Sequence, residues 1–172
     1  MLQPVQSLLL QVFRRLPRRG RLAVVHTLAP SFSVGAMCFI ERYDGALLLV
    51  RHSYRNRWGV PGGLLNRGEP PHEAACREAL EEVSLVIELV GEPAVVVDAD
   101  ARRVDVIYRA RPAEGADAAT AHPESPEIVE AAWFAPDRLP ELQAETTGAL
   151  VALGRASQAP SARVLPDSAP QA

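Results

Sequence analysis

Three glutamates crowd into five positions of one short stretch. In "REALEEVSL", residues 77–85, Glu78, Glu81 and Glu82 stand at i, i+3 and i+4 spacing. Like charges so placed on a helix cost about 0.2–0.5 kcal/mol per pair. One explanation is a solvated acidic face. The other is chemical: carboxylates gathered at one point make an oxygen-ligand site for a hard divalent cation, and a bound ion turns their repulsion into attraction. A glycine-rich turn lies just upstream, with Glu69 eight residues and Glu73 four residues before Arg77. Arg77 can therefore be held by carboxylates of its own loop and helix, which would leave the three glutamates free.

The elements that must position these residues follow from the pattern around them. Pro70 and Pro71 precede a stretch of helical period, and proline is tolerated in a first turn, so a helix is expected over 71–83. At about 100° per residue, Cys76, Ala79, Leu80 and Val83 share an apolar arc, with the glutamates opposite and Arg77 at the border. Upstream, "SVGAMCFIERYDGALLLVRH" predicts two strands joined as a hairpin at Tyr43-Asp44-Gly45. Strand-like runs follow at 85–90, 94–98, 103–110 and 127–135, a surface loop at 111–126, and one or two short helices over 136–156. Strands on both sides of a central helix, with more helix at the end, predict an α/β chain with a mixed sheet covered by helices.

The 172 residues suit one main domain, and a net charge of -3 gives no general bias towards nucleic acid or membranes. All 18 basic residues are arginine. Without lysine there is no Schiff base, no P-loop lysine and no Ser–Lys dyad, so any phosphate met by a side-chain cation is met by arginine. Cys38 and Cys76 form no disulfide framework and no zinc pattern, and a reducing cytoplasm is the expected compartment. Cys76 reads as a small core residue. Residues 1–21 combine a short apolar run with arginines: an N-terminal basic helix or arm that packs on the domain, or a membrane-touching segment. Packing is preferred, because Pro17 and Gly20 would end such a helix early. From residue 156 the Ala, Ser and Pro content predicts a disordered tail.

From Gly63 to Leu85 the chain reads "GLLNRGEPPHEAACREALEEVSL". It resembles the Nudix box, G-x5-E-x7-R-E-U-x-E-E-x-G-U, with Gly63, Glu69, Arg77, Glu78, Glu81 and Glu82 at the fixed glycine and charged positions. "WGVPGG" before the box and "WF.PDRLPEL" after it extend the likeness to about residues 33–145. Two positions depart: Ala79 replaces a larger aliphatic residue, and Ser84 replaces the second glycine. A left-handed Ser84 would cost about 1 kcal/mol against glycine.

The resemblance implies a Nudix-type α/β/α sandwich over residues 33–155 and a Mg²⁺-dependent pyrophosphohydrolase, with Mn²⁺ as a substitute ion. Its substrate would be a small nucleoside diphosphate-X or nucleoside triphosphate, not a nucleic acid, and a homodimer is compatible with it. Glu78, Glu81 and Glu82 would be metal ligands with the Gly63 carbonyl, and Glu69 and Arg77 the structural pair. Glu78 is the first candidate for the general base, Glu127 the second and Glu124 a weaker third. Arg51, Arg55 and Arg57 would meet substrate phosphates or form a solvated basic loop. Trp58 and Tyr54 would stack on a base or simply pack, and His26, His52, His72 and His122 read as loop or surface. An isopentenyl diphosphate isomerase-like enzyme, or a non-catalytic nucleotide-binding module, stays open beside the hydrolase. No downstream signature names a substrate.

Overall fold

The computed structural model describes residues 13–29 and 31–158. It divides into two units, Met1–Ser33 and Val34–Ala172. In the first, helix α1 spans Arg18–Leu28 with Pro17 at its N-cap. Helical residues 13–15 end before Pro17, as expected, but a second helix opens there and Gly20 lies inside it instead of closing one. Most of the arm expected at 1–21 lies outside the described residues. No helix among the described residues is long and apolar enough to cross a membrane.

In the second unit the order is β1 (Ser33–Ile40), β2 (Leu47–His52), β3 (Gly62–Leu64), α2 (Pro71–Val83), β4 (Ile87–Asp98), β5 (Arg103–Pro112), β6 (Ile128–Phe134) and α3 (Ala144–Gln158). Four strands form one sheet in the order β3-β1-β5-β4, and β2 pairs with β6 in a second. The turn expected at Tyr43–Gly45 is present, since Arg42 N–H donates to Ala46 O at 2.9 Å. Its two strands then part into different sheets, which corrects the hairpin reading. The runs at 85–90 and 94–98 are one strand, β4, with a register shift between Val90 and Ala94. The C-terminal helix continues to Gln158, three residues into the expected tail, and the rest of that tail lies outside the described residues.

Alternation along the strands explains their unbroken apolar runs. Ala36, Cys38 and Ile40 of β1 join a core with α2, while Met37 and Phe39 join a second core with α3. Strand β2 repeats the pattern, with Leu48 and Val50 on the α2 side and Leu49 on the α3 side. A strand covered on both faces has no need of polar alternation. The result is the expected sheet-between-helices sandwich.

Helix α2 spans Pro71–Val83 as the sequence predicts, with Pro70 at the N-cap. Its buried stripe is turned, however: Ala74, Ala75, Ala79, Glu82 and Val83 are buried, while Leu80 is 49% exposed. The helix has rotated to take a carboxylate inside at the expense of a leucine. Ser84 ends it in the left-handed conformation, φ 54° and ψ 32°, and its N–H donates to Leu80 O at 3.0 Å. The last carbonyls find partners in the loop before β6: His122 N–H donates to Val83 O at 3.2 Å and Glu124 N–H to Glu82 O at 3.0 Å.

Candidate active site

Strand β3 is short, but its pairing fixes the site. Ala36 stands opposite Gly63 and Met37 opposite Gly62, which lays the glycine turn against α2. The carboxylate of Glu78 then rests directly on Gly63, where a Cβ would approach the Glu78 Cδ to 2.6 Å. A side chain at this position would have to displace that carboxylate.

Arg77 is the hub. Its Nε and Nη2 donate to the two oxygens of Glu69 at 2.7 and 3.0 Å, a bidentate pair, and Nη2 also reaches Leu64 O at 3.2 Å. Glu69 accepts in addition the Asn66 N–H at 2.7 Å. The guanidinium and that N–H hold the Glu69 carboxyl down to about 2. Nη1 of Arg77 donates to Glu78 Oε1 at 2.8 Å and to Glu81 Oε2 at 2.9 Å. Arg77 therefore does not leave those glutamates free, as the spacing suggested: it lies between them and offsets their repulsion. Glu73, expected as a second partner of Arg77, is instead exposed beside His72.

Glu82 turns the other way. It is 6% exposed, its Oε2 accepts the Gly62 N–H at 3.1 Å, and its Oε1 stands 3.6 Å from His52 Nε2. His52 is itself buried, with Nδ1 3.5 Å from Gln143 Nε2, which also donates to Arg57 O at 3.1 Å. This corrects the loop-or-surface reading of His52. A bulge between Arg51 and His52 accompanies that placement. Nothing in the local sequence announces it, because Glu82 and Gln143 are both distant in the chain.

These groups border a cleft of about 600 Å³. Among the described residues no three His, Cys, Asp or Glu side chains converge as a ready ligand set. Glu78 and Glu81 meet at Arg77 instead. The donor chemistry still suits a hard divalent ion: the candidate ligands are carboxylate and carbonyl oxygens, and five glutamates face three arginines around the cleft. Burial pushes the Glu78 carboxyl up, with Glu82 and Glu81 adding to the rise against the opposing pull of Arg77. A bound cation would remove that penalty.

The chain matches the family model described as NUDIX domain over residues 31–153. The chain belongs to the Nudix family. It is 29% identical over 119 residues to a MutT-like protein of Streptomyces ambofaciens, which covers 69% of this chain and 74% of that one. It superimposes with a TM-score of 0.58 on the MutT NUDIX hydrolase of Burkholderia pseudomallei, 30% identical, over 70% of this chain and 97% of the other. A NUDIX hydrolase of Nitrosomonas europaea gives a TM-score of 0.62 at 24% identity, over 70% and 68% of the two chains. The protein is thus a Nudix hydrolase, of a family that acts on small-molecule nucleotide or diphosphate substrates with divalent metal ions.

Within this Nudix cleft, the residues expected to meet substrate separate. Arg55 and Tyr54 line it, and Arg55 Nη1 lies 3.3 Å from Glu145 Oε1. Arg51 does not line it but pairs with Glu130 across β2 and β6, Nη2 to Oε2 2.7 Å. Arg57 pairs with Glu141 at 2.6 Å, outside the lining. Trp58 packs edge-on against Phe134, ring centroids 4.8 Å apart, and belongs to the α3-side core. Glu127 lines the cleft, whereas Glu124 pairs with His122 beyond it. Cys38 is fully buried and burial pushes its thiol far up, which removes the group an isomerase-like reaction would want. Sequence reading missed Arg103 and Asp105 at the start of β5. They look like ordinary strand charges, and their neighbours Gly35 and Gly63 lie far off in sequence.

Proposed function

We propose that this Nudix enzyme hydrolyses the diphosphate linkage of a nucleoside diphosphate joined to another moiety, or of a nucleoside triphosphate, with Mg²⁺ as the working ion and Mn²⁺ as a substitute. The catalytic domain would be residues 33–155. One observation carries the reading: Glu78, Glu81 and Glu82 border the same cleft as Gly63, and the Glu69–Arg77 pair braces the first two there.

Glu78, Glu81, Glu82 and the Gly63 carbonyl would hold the ion. Bound there, it supplies charge neutralisation of the phosphates and a more acidic water. The chain's own residues supply the rest. Arg77 keeps Glu78 and Glu81 aimed, and Gly62 and His52 do the same for Glu82. Glu127 takes the role of proton acceptor ahead of Glu78. Both residues line the cleft, but the Glu78 carboxylate is wedged against Gly63 and bonded to Arg77. As the water oxygen bonds to one phosphorus, the P–O bond to the bridging oxygen breaks and the water proton passes to Glu127. Arg55 is placed to meet a phosphate once substrate displaces Glu145.

The test is a Mg²⁺-dependent screen of nucleoside diphosphate-sugars, dinucleotides and nucleoside triphosphates, comparing wild type with Glu82→Gln. Cleavage of a panel member by wild type and its loss in the variant are expected. A wild type inert across the panel, or a variant of equal activity, overturns the proposal.

A further inference from the structure

We propose that Arg103 receives a phosphoryl oxygen of the diphosphate substrate beside the Gly63 carbonyl, and that Asp105 is the positioning residue that aims it. This rests on the diphosphate reading above and adds where the substrate's charge is held.

Strand β5 alternates faces, so Arg103, Asp105 and Ile107 point the same way. Ile107 is fully buried in the α3-side core, Asp105 is 8% exposed, and Arg103 reaches the cleft. Both Asp105 oxygens accept from one nitrogen of Arg103, Nε, at 2.8 and 2.9 Å. Arg–carboxylate pairs frequently form two parallel N–H bonds, one to each oxygen. Here the carboxylate takes one nitrogen, and among the described residues no hydrogen bond engages Nη1 or Nη2. Of the other cleft arginines, Arg77 is committed to Glu69, Glu78, Glu81 and Leu64, and Arg55 gives one bond, Nη1 to Glu145 at 3.3 Å. Arg103 lines the cleft with both terminal nitrogens open.

Its location gives that fork a target. A Cβ on Gly35 would lie 2.5 Å from Asp105 Oδ1, 2.9 Å from Arg103 Nη2 and 3.2 Å from the Gly63 carbonyl oxygen. The notch at Gly35 therefore lets the guanidinium approach the carbonyl that stands among the candidate metal ligands. A phosphoryl oxygen entering there meets a planar donor fork at the edge of the glutamate cluster, a geometry suited to arginine and poorly matched by lysine. Arg103 also acts across the cleft. After Glu145's own N–H and Arg55, it contributes to holding the Glu145 carboxyl below the usual range.

The experiment uses the full chain. Binding of the non-hydrolysable probe imidodiphosphate with Mg²⁺ is measured by calorimetry, and KM and kcat are measured on whichever nucleotide the wild type cleaves. Arg103→Gln is expected to weaken binding and raise KM by roughly 10–100-fold, with a smaller change in kcat. Arg103→Lys should recover only part of the loss. Because Arg103→Gln strands a buried carboxylate, the double variant Arg103→Gln/Asp105→Asn is measured beside it and should show the same binding defect with its melting temperature restored. If the folded variants bind the probe and cleave the nucleotide within twofold of wild type, Arg103 serves only Asp105 and the proposal falls. A wild type that binds no probe and cleaves nothing overturns instead the diphosphate reading beneath it.

Discussion

The carboxylate of Glu78 lies against Gly63 with no room for a single extra carbon. The glutamate is thereby aimed by contact as well as by its bond to Arg77. Gly63→Ala should displace that carboxylate from its seat. The expected result is a loss of about 1–3 kcal/mol of stability from overpacking, read by denaturant unfolding. Turnover should fall at least about 100-fold, as expected for misplacement of a group at the reacting centre. An alanine variant with wild-type kcat would mean that Glu78 need not sit where it does.

Arg77 joins the Glu69 loop, strand β3 and two glutamates of α2 through one guanidinium. Lysine keeps the charge but cannot serve these acceptors in one plane. Arg77→Lys should lower stability by about 1–3 kcal/mol and weaken binding of Mn²⁺, measured by paramagnetic titration. If the lysine variant equals wild type in both, charge alone suffices and the planar fork is irrelevant.

Acid should undo the Glu69–Arg77 bond in a defined window. Glu69 is held at about 2 in the folded chain against an ordinary 4.5. A depressed carboxylate contributes stability above its unfolded value and loses it as pH falls through the folded one. The stability gap between wild type and Glu69→Gln should therefore be flat from pH 7 to about 5, then close between about 4.5 and 2. A gap that stays constant across that range would show that the ionised bond contributes nothing.

Much of the site was legible because its signals are local. Pro70-Pro71 set the start of α2, and the spacing of Gly63, Arg77 and the three glutamates places them in one cleft, with Glu69 behind Arg77. What was not legible depends on partners distant in the chain. Helical period put Leu80 inside and Glu82 outside, but Gly62 and His52 offer Glu82 a polar pocket and reverse the two. The apolar runs of β1 and β2 looked like one hairpin because both are covered on two faces, and sequence alone does not say which sheet covers them.

Ser84 is one of the two departures from the motif, and its left-handed backbone is the conformation in which glycine is favoured. Ser84→Gly should stabilise the fold by about 1 kcal/mol, a rise of roughly 2–4 °C in Tm for a domain of this size. Catalytic constants should stay unchanged. An unchanged or lower Tm would mean that the serine has a compensating partner at the helix end.

Glu127 and Glu124 stand three residues apart on one loop, and only Glu127 lines the cleft. Glu127→Gln should lower kcat by about 10²–10⁴ with KM little altered, as removal of a general base does. Glu124→Gln should leave kcat near wild type. The reverse pattern in steady-state assays would transfer the proton-accepting role to Glu124.

The turn between β1 and β2 is built by its own atoms. Arg42 grips Asp44 at 2.6 Å, Gly45 N–H donates to Arg42 O at 2.8 Å, and Tyr43 is 98% exposed. The strands it joins belong to different sheets, and no residue from 42 to 46 lines the cleft. Exposed tips of this kind tolerate new chain ends and inserted domains better than other places. The enzyme therefore carries a natural seam, where a reporter could be inserted or the gene circularly permuted while the glutamates keep their aim.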